Sequence, residues 1–312
     1  MSGTRGRILV IRGGAIGDFI LTLPAIAALR GRFPHVHLEV LGYPHIAHLA
    51  LAGGLVDAVQ PIEARALAGF FARGGDLAEE LCDYFSEFDL IVSYLYDPDE
   101  IFQDNVARCS AAQFIVGPYR AAESQKIHAT RSYLKPLERL AIFNADETPR
   151  LAIDSRPTTV NRLAAHPGSG SARKNWPEAR WRELFTHLID RTDLNLLLVG
   201  GEAEGDRLQR LAAPLPKHRC TLARSLPLVE LAGVLQPCAG FVGHDSGITH
   251  LAAALGLPCL VLWGGTVEEV WRPRGEKTVV VRESRGLGAL PVERVVRELT
   301  GWLPLGRLVP AE

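Results

Sequence analysis

Residues 241–250 read FVGHDSGITH, and the residues that follow, 251–266, read LAAALGLPCLVLWGGT. The apolar start of this stretch predicts a strand, and the pattern from Ser246 to Gly256 predicts a helix that opens on small residues. A tight turn between them directs unpaired backbone N–H groups and the positive end of the helix dipole at one point. Such a turn favours an anion, such as a phosphate or a diphosphate; the alternative is an ordinary turn capped by Asp245 and Ser246.

Length, composition and charge restrict the class of protein. A chain of 312 residues exceeds one typical core, and we expect two domains of about 150 residues each. Hydrophobic residues make up 47% and charged residues 22% of the sequence, which is typical of a soluble α/β protein. The formal net charge of −1 gives no overall field that would attract nucleic acid, so no nucleic-acid partner is expected.

The sequence predicts a cytoplasmic protein. The apolar run near the N-terminus is too short for a signal peptide, and the sequence contains no apolar stretch long enough for a membrane-spanning helix. Peripheral contact with a membrane is compatible with this, because a surface patch leaves no linear signal. The cysteines show neither a CxxC pair nor a Cys/His cluster, so we expect free thiols and no metal site: Cys82, Cys109, Cys220, Cys238 and Cys259.

The N-terminal residues predict one βαβ unit with a candidate catalytic group. Strands are expected at Arg7–Arg12 and at 36–42, with a helix between them that follows the turn GGAIGD at 13–18. This turn lacks the G-x-G-x-x-G spacing of a dinucleotide site. Asp18 lies at the carboxyl end of the strand, where a carboxylate suits a general base or a hydroxyl-binding group. The alternative is a carboxylate that only complements the helix dipole.

Two polar segments in the first half each allow more than one interpretation. The carboxylates of Asp97 and Asp99 follow a predicted strand and could bind a metal, but a solvated turn around Pro98 is favoured. Arg120 and Lys126 lie in a loop-like segment. They could contact an anionic substrate or belong to an exposed basic face.

A linker is predicted at 144–157, where the sequence NADETPRLAIDSRP is polar and contains two prolines. We therefore expect one domain at 1–155 and a second at 156–312, with the last helix able to pack back on the N-terminal domain. The predicted architecture is α/β, with two doubly wound Rossmann-like domains facing across a cleft. In the second domain the predicted strands should open on one rim, at the turns after His166, Gly200, Gly243 and Gly264.

Three motifs together resemble glycosyltransferase family 9, the ADP-heptose:lipopolysaccharide heptosyltransferases. In the order of that family they are RILVIRGGAIGDFILTLPAIAALR at 7–30, HPGSGSARKNWP at 166–177, and the opening stretch at 241–266. A predicted helix at 128–143 also lies where the family has one. The resemblance implies a GT-B fold, with the acceptor on the N-terminal domain and the nucleotide-sugar on the C-terminal domain.

The resemblance also implies a reaction and its partners. It implies an inverting, metal-independent transfer of a sugar, with ADP-heptose as the expected donor and no cofactor. The implied acceptor is a lipid-linked saccharide of the lipopolysaccharide core. The implied location is the cytoplasm or the cytoplasmic face of the inner membrane, where peripheral contact would bring the enzyme to this acceptor.

Roles follow from the resemblance position by position. Asp18 matches the family's proposed base, and Lys174 matches the lysine that contacts the donor phosphates. Glu202 matches the acid that binds the ribose, with Glu204 as the alternative register. The further donor-binding positions are Ser169, Gly170, Leu226, Asp245, Ser246, Gly247 and His250, and the acceptor-binding positions are Gly14, Arg120 and Lys126.

Several positions keep a structural alternative or depart from the family pattern. Asp245 could be an N-cap, His250 a packed core residue, and Lys174 a solvated side chain. Leu21 stands where heptosyltransferases commonly have histidine, and Gly170 replaces a hydroxyl residue that is common in the heptosyltransferase I type. Both departures concern the acceptor and the sugar more than the fold.

Three alternative functions stay open on the sequence. One is a nucleotide-sugar 2-epimerase of GT-B architecture, which would form product without an acceptor. Another is a family 9 transferase with a different donor and acceptor. The third is a catalytically silent nucleotide-binding protein.

Overall fold

The computed structural model describes residues 6–153, 160–170 and 175–302. The chain divides into two compact units, Met1–Ala152 and Ile153–Glu312. Each unit contains a parallel β-sheet and several helices, so the α/β class expected from the sequence is confirmed. Lys174 and part of the predicted linker lie outside the described residues.

The first unit contains one five-stranded sheet. Its strands are β1 (Arg7–Arg12), β2 (His37–Gly42), β3 (Ala58–Pro61), β4 (Leu90–Ser93) and β5 (Gln113–Val116). Its helices are α1 (Ile16–Arg32), α2 (Pro44–Ala52), α3 (Glu79–Ser86), α4 (Ile101–Ala107) and α5 (Ala129–Leu134). The strand order is β3-β2-β1-β4-β5, and all pairs are parallel. The order reverses between β1 and β4, which makes this position the switch point of the sheet.

Local sequence explains three features of this unit. β1 is a continuous apolar run because it is covered on both faces, as expected for a central parallel strand. The helix predicted at 128–143 instead ends at Leu134 and continues as the 3₁₀ helix Lys135–Leu140, because Pro136 cannot donate a helical hydrogen bond. The predicted turn around Pro98 is present, but the Asp97 carboxylate is bonded to the backbone N–H groups of Phe102 and Gln103 and is not simply solvated.

The second unit contains one six-stranded parallel sheet. Its strands are β6 (Val160–His166), β7 (Asn195–Gly200), β8 (Cys220–Arg224), β9 (Cys238–His244), β10 (Cys259–Leu262) and β11 (Thr278–Val281). Its helices are α6 (Glu178–Arg191), α7 (Arg207–Ala212), α8 (Leu228–Leu235), α9 (Gly247–Ala254), α10 (Glu268–Trp271) and α11 (Val292–Trp302). The order is β11-β10-β9-β6-β7-β8. The carboxyl ends of these strands therefore lie along one edge, as expected, and the switch point lies between β6 and β9.

The last helix packs within the second unit. Val292, Val295 and Leu299 of α11 join the core cluster that contains Trp181 and Leu188 of α6. Short 3₁₀ helices complete the described elements, at Arg65–Phe71, Glu123–Gln125, Glu202–Glu204 and Leu287–Ala289. Over the ranges that the structure describes, none of the helices has the length and apolar character needed to span a bilayer.

Candidate functional site

A cavity of about 480 Å³ lies at the switch point of the first sheet. Its lining includes Gly14 and Asp18 after β1, Tyr94 and Tyr96 after β4, and Arg120. We call it the Asp18 cavity. The Asp18 side chain is 29% exposed, so its carboxylate is accessible from this cavity. The position agrees with the general rule that open α/β sheets bind ligands at the carboxyl ends of strands, at a switch point.

The start of α1 holds the Asp18 carboxylate in a defined orientation. Its Oδ2 accepts a hydrogen bond from the backbone N–H of Ala15, at 3.3 Å. Gly14 has a φ of 96°, in the left-handed region that favours glycine, and a Cβ at this position would lie 3.3 Å from Asp18 Oδ2. Asp18 therefore satisfies part of the helix N-terminus while it also faces the cavity.

Arg12 is a buried residue of this site, and the sequence alone predicts it only as the end of a strand. Its Nη1 donates to the carbonyl oxygens of Tyr119 at 2.7 Å and Tyr94 at 3.3 Å, and its Nη2 donates to that of Asp18 at 3.2 Å. Nη2 also lies 3.9 Å from Asp18 Oδ1, and the guanidinium is 4.6 Å from the centroid of the Tyr133 ring. The one feature of the sequence that could have indicated this role is a charged residue at the end of an apolar strand.

Of the three predicted acceptor residues, two share the cavity with Asp18. Gly14 and Arg120 line it, and Arg120 forms an exposed ion pair with Glu123 at 3.6 Å. Lys126 is exposed and is not part of the lining. The rings of Tyr96 and Tyr119, with centroids 4.6 Å apart, add apolar surface to the same wall.

In the second unit, the turn after β9 is held by hydroxyl and carboxylate groups. Ser246 is the N-cap of α9, and its Oγ accepts from the backbone N–H of Thr249 at 3.4 Å. Because Ser246 takes the N-cap position, the N-cap interpretation of Asp245 was wrong; its carboxylate accepts from the Thr266 hydroxyl at 2.6 Å. His250 is buried on α9, with 5% exposure. The predicted strand, turn and helix N-terminus are therefore present, and the binding of an anion at this turn stays a prediction.

Two histidines join this turn to the one after β6. Nδ1 of His166, the last residue of β6, lies 3.3 Å from Ser246 Oγ. In the opposite direction, His244 at the end of β9 donates from Nδ1 to the carbonyl oxygen of Gly168, at 3.1 Å. Its Nε2 accepts from the backbone N–H of Trp176 at 2.8 Å. The sequence predicts no role for either histidine, although each one ends a strand just before a turn of small residues.

Both histidines are neutral at ordinary pH. Burial lowers the pKa of His166 to about 3, and the neighbouring His244 contributes to this shift. Burial also lowers the pKa of His244 to about 4, although its bond to the Gly168 carbonyl acts in the opposite direction. Desolvation disfavours the charged imidazolium, so the side chains act as neutral hydrogen-bonding groups.

The turns after β6 and β8 hold three further predicted donor residues. Ser169 is 8% exposed, and its hydroxyl donates to Oδ1 of Asn175 at 2.7 Å. Gly170 is exposed, and a Cβ at this position would meet nothing within 4 Å. Leu226 is partly buried and follows Ser225, which has a φ of 50°.

The two candidate ribose-binding acids differ in environment. The Glu204 side chain is only 6% exposed, and its Oε2 accepts from the backbone N–H of Gly201 at 2.6 Å. Its other oxygen lies 3.9 Å from His166 Nε2, and its carboxylate blocks the space beside Gly168 that a Cβ would need. Glu202 is exposed on the same 3₁₀ turn. Only Glu202 therefore presents its carboxylate to solvent.

The predicted site residues belong to both units. The candidate base and the acceptor residues lie in the first unit, and the described donor-binding residues lie in the second. Within the described parts of the chain, no three His, Cys, Asp or Glu side chains are grouped so that they could hold a metal ion.

Comparison with known proteins agrees with the three motifs. The family model described as glycosyltransferase family 9 (heptosyltransferase) matches residues 111–293. Lipopolysaccharide heptosyltransferase 1 of Pseudomonas aeruginosa is 42% identical over 293 residues, which cover 83% of this chain and 79% of that relative.

Solved structures agree in fold. The E. coli heptosyltransferase WaaC with ADP matches with a TM-score of 0.77 and 20% identity, over 95% of this chain and 99% of that one. The E. coli ADP-heptose lps heptosyltransferase II matches with a TM-score of 0.75 and 19% identity, over 95% and 98% of the two chains. The predicted GT-B fold is confirmed by this likeness. Together with the family match and the identity to the Pseudomonas relative, it leads to one conclusion: the chain is a glycosyltransferase and belongs to glycosyltransferase family 9.

Proposed function

We propose that this enzyme transfers a heptose from ADP-heptose to an acceptor of the lipopolysaccharide-core type, by an inverting and metal-independent displacement. The observation that carries the proposal is the accessible Asp18 carboxylate in a cavity at the switch point of the first sheet. The choice of sugar and acceptor is supported by the relative from Pseudomonas aeruginosa, whose name is lipopolysaccharide heptosyltransferase 1.

Asp18 acts as the general base in this mechanism. The acceptor hydroxyl attacks the anomeric carbon while its proton passes to the Asp18 carboxylate. The hydrogen bond from the backbone N–H of Ala15 holds Oδ2 in place at the cavity. Gly14 and Arg120 contact the acceptor from the same cavity, and Lys126 meets a more distant anionic part of it.

The second unit stabilises the ADP that leaves. The turn at Ser246-Gly247 and the turn at Ser169-Gly170 direct backbone N–H groups at the diphosphate, and the dipole of α9 adds to this. Lys174 supplies the cationic side chain. Because the proposed transfer relies on these protein groups and uses no metal ion, a chelator should leave the rate unchanged.

Glu202 binds the ribose hydroxyls in this proposal, because the Glu204 carboxylate is already bonded to the Gly201 N–H. The backbone near Leu226 contacts the adenine. Asp245 and His250 are nearly buried, so they act on the donor by shaping the turn after β9.

The test is the substitution Asp18→Asn, assayed with ADP-heptose and a core-type acceptor. We expect the rate to fall by roughly 10²–10⁴, because a base is removed, while ADP binding changes little. Asp97→Asn is the matched control: its carboxylate also accepts from backbone N–H groups in the first unit, but it does not line the Asp18 cavity.

Three outcomes would count against parts of the proposal. Full activity of Asp18→Asn would exclude its role as base. A product with the donor's anomeric configuration would exclude inversion. Product from the nucleotide-sugar without acceptor would favour the epimerase alternative.

A further inference from the structure

The two turns proposed to hold the diphosphate are bonded to each other by strand-end histidines. His166, which precedes one turn, lies against the Ser246 hydroxyl in the other turn. His244, which precedes the other turn, bonds back to Gly168 in the first. Because β6 and β9 are paired neighbours in the sheet, each histidine reaches across the switch point to the opposite turn.

His244 makes the more extensive of these connections. It bonds to Gly168 and to Trp176, so it holds the chain on both sides of residues 169–175. A carbonyl oxygen can only accept and a backbone N–H can only donate. The ring must therefore carry its proton on Nδ1 and leave Nε2 bare. Its edge-on contact with Trp181, at 5.4 Å between centroids, limits rotation of the ring.

His244 cannot touch a ligand itself, because its exposure is 0%. The residues that it holds differ in this respect. Ser169 and Gly170 directly follow Gly168, and Gly170 is exposed. Any effect of His244 on a ligand must therefore pass through the backbone position of this turn.

We propose that His244 is a positioning residue for the donor diphosphate: it sets the spacing between the turn after β6 and the turn after β9. This inference rests on the proposed function only in that the anion bound there is the diphosphate of the donor. A preorganised pair of turns binds an anion more tightly because the backbone N–H groups need no rearrangement on binding.

The substitution His244→Phe tests this role, because it keeps an aromatic ring against Trp181 and removes both hydrogen bonds. His244→Gln is the conservative variant, since its amide oxygen can accept from the Trp176 N–H. The matched control is Thr192→Val. The Thr192 hydroxyl is also buried in the second unit, where it donates to the Leu188 carbonyl oxygen and accepts from the Leu194 N–H. It lies before the start of β7, at the amino-terminal ends of the strands, whereas the two turns lie at the carboxyl ends.

Calorimetric titration of the full-length variants with ADP gives the main result. We expect His244→Phe to weaken ADP binding at least tenfold, His244→Gln to recover part of the loss, and Thr192→Val to bind as the wild type does. In the full reaction, the KM for the donor should rise more than kcat falls. Wild-type affinity in His244→Phe, or an equal loss in Thr192→Val, would overturn the inference.

Amide exchange of Trp176 in the unliganded protein gives a second result that needs no ligand. We expect its N–H to exchange faster in His244→Phe and to stay protected in Thr192→Val. Unchanged protection of the Trp176 N–H in His244→Phe would overturn the role of His244. Absence of ADP binding by the wild-type protein in the titration would instead count against the proposed donor. If His244→Phe does not fold, His244→Asn replaces it, because asparagine can still donate to Gly168 but is too short to accept from Trp176.

Discussion

Arg12 is a single side chain that joins several loops around the Asp18 cavity. It is 2% exposed, and it donates to the carbonyl oxygens of Tyr94 and Tyr119, on two loops that follow other strands. It also donates to the carbonyl oxygen of Asp18. A planar guanidinium can bond in several directions at once, whereas an ammonium group is a compact point charge. The geometry of the Asp18 cavity therefore depends on the shape of the Arg12 side chain as well as on its charge.

We predict that Arg12→Lys lowers both stability and activity. Loss of the bonds that lysine cannot form should cost about 2 kcal/mol of unfolding free energy, since hydrogen bonds of charged groups contribute about 1.5–3 kcal/mol. The transfer rate should fall at least tenfold, because the loops of Tyr94 and Tyr119 and the backbone at Asp18 lose hydrogen bonds to one shared side chain. Chemical denaturation and a transfer assay measure the two effects.

Arg30→Lys is the control for this prediction. Arg30 also donates to two backbone carbonyls and to a carboxylate, those of Leu55, Val36 and Asp57, but it does not line the Asp18 cavity. The Arg30→Lys variant should lose a comparable amount of unfolding free energy and keep the transfer rate of the wild type. Equal losses of rate in both variants would mean that Arg12 acts only through stability.

At the scale of elements, the paired strands β6 and β9 place two neutral histidines in the interior of the second unit. Around His244 and His166 lie the carboxylates of Glu204 and Asp245 and the guanidinium of Arg207. Despite these charges, burial is the main cause of the lowered pKa of each histidine. In the folded chain these two imidazoles therefore stay unprotonated at pH values at which the unfolded chain would protonate them.

We predict that this arrangement makes the second unit sensitive to acid. In the unfolded chain these histidines titrate near the ordinary pKa of 6.5, whereas in the folded chain the pKa of His244 is about 4. Between these values the unfolded state binds more protons, so the unfolding free energy falls as the pH falls from 6.5 toward 4. The stability is fully present above pH 6.5.

Denaturant unfolding at a series of pH values checks this prediction. Carboxylates also contribute to acid sensitivity, so the informative quantity is the difference between the wild type and His244→Gln. The slope of unfolding free energy against pH between 4 and 6.5 should be smaller in the variant. Identical slopes would show that His244 titrates alike in the folded and unfolded chains.

At the scale of the whole molecule, the chain consists of two units that each have their own parallel sheet and switch point. The Asp18 cavity belongs to the first unit, and the turns proposed to bind the diphosphate belong to the second. In the proposed reaction this separates the acceptor base from the groups that bind the donor. The two partial sites should therefore respond differently to ADP.

We predict that ADP protects the second unit from hydrogen exchange more than the first. Peptides that cover 166–170 and 244–250 should exchange more slowly when ADP is bound, because their backbone N–H groups contact the diphosphate. Peptides that cover 12–20 should change little. Protection centred on Asp18 would contradict the proposed division of roles.

Strands and motifs could be predicted from the sequence where the pattern is local. Arg7–Arg12 and Val160–His166 were predicted with their observed bounds, because each is a largely apolar run that ends at a turn of small residues. β8 was not predicted, since its short sequence CTLAR lacks an apolar run, as expected of a strand whose residues are mostly exposed. The helix at 128–143 was predicted too long, because helical periodicity continued beyond the break near Pro136.

The sequence by itself determined the α/β class, the glycine-rich turns at strand ends, and Asp18 as the candidate base, since each depends on neighbours within a few positions. Only the tertiary structure decided that Glu204 is held by the backbone while Glu202 is exposed, and that Asp245 bonds to Thr266. It also decided that His244 bonds to Gly168, a residue 76 positions away. The contacts of Asp245 and His244 follow from which strands pair and in which register, and a hydrogen bond across paired strands leaves no periodic signal in the chain.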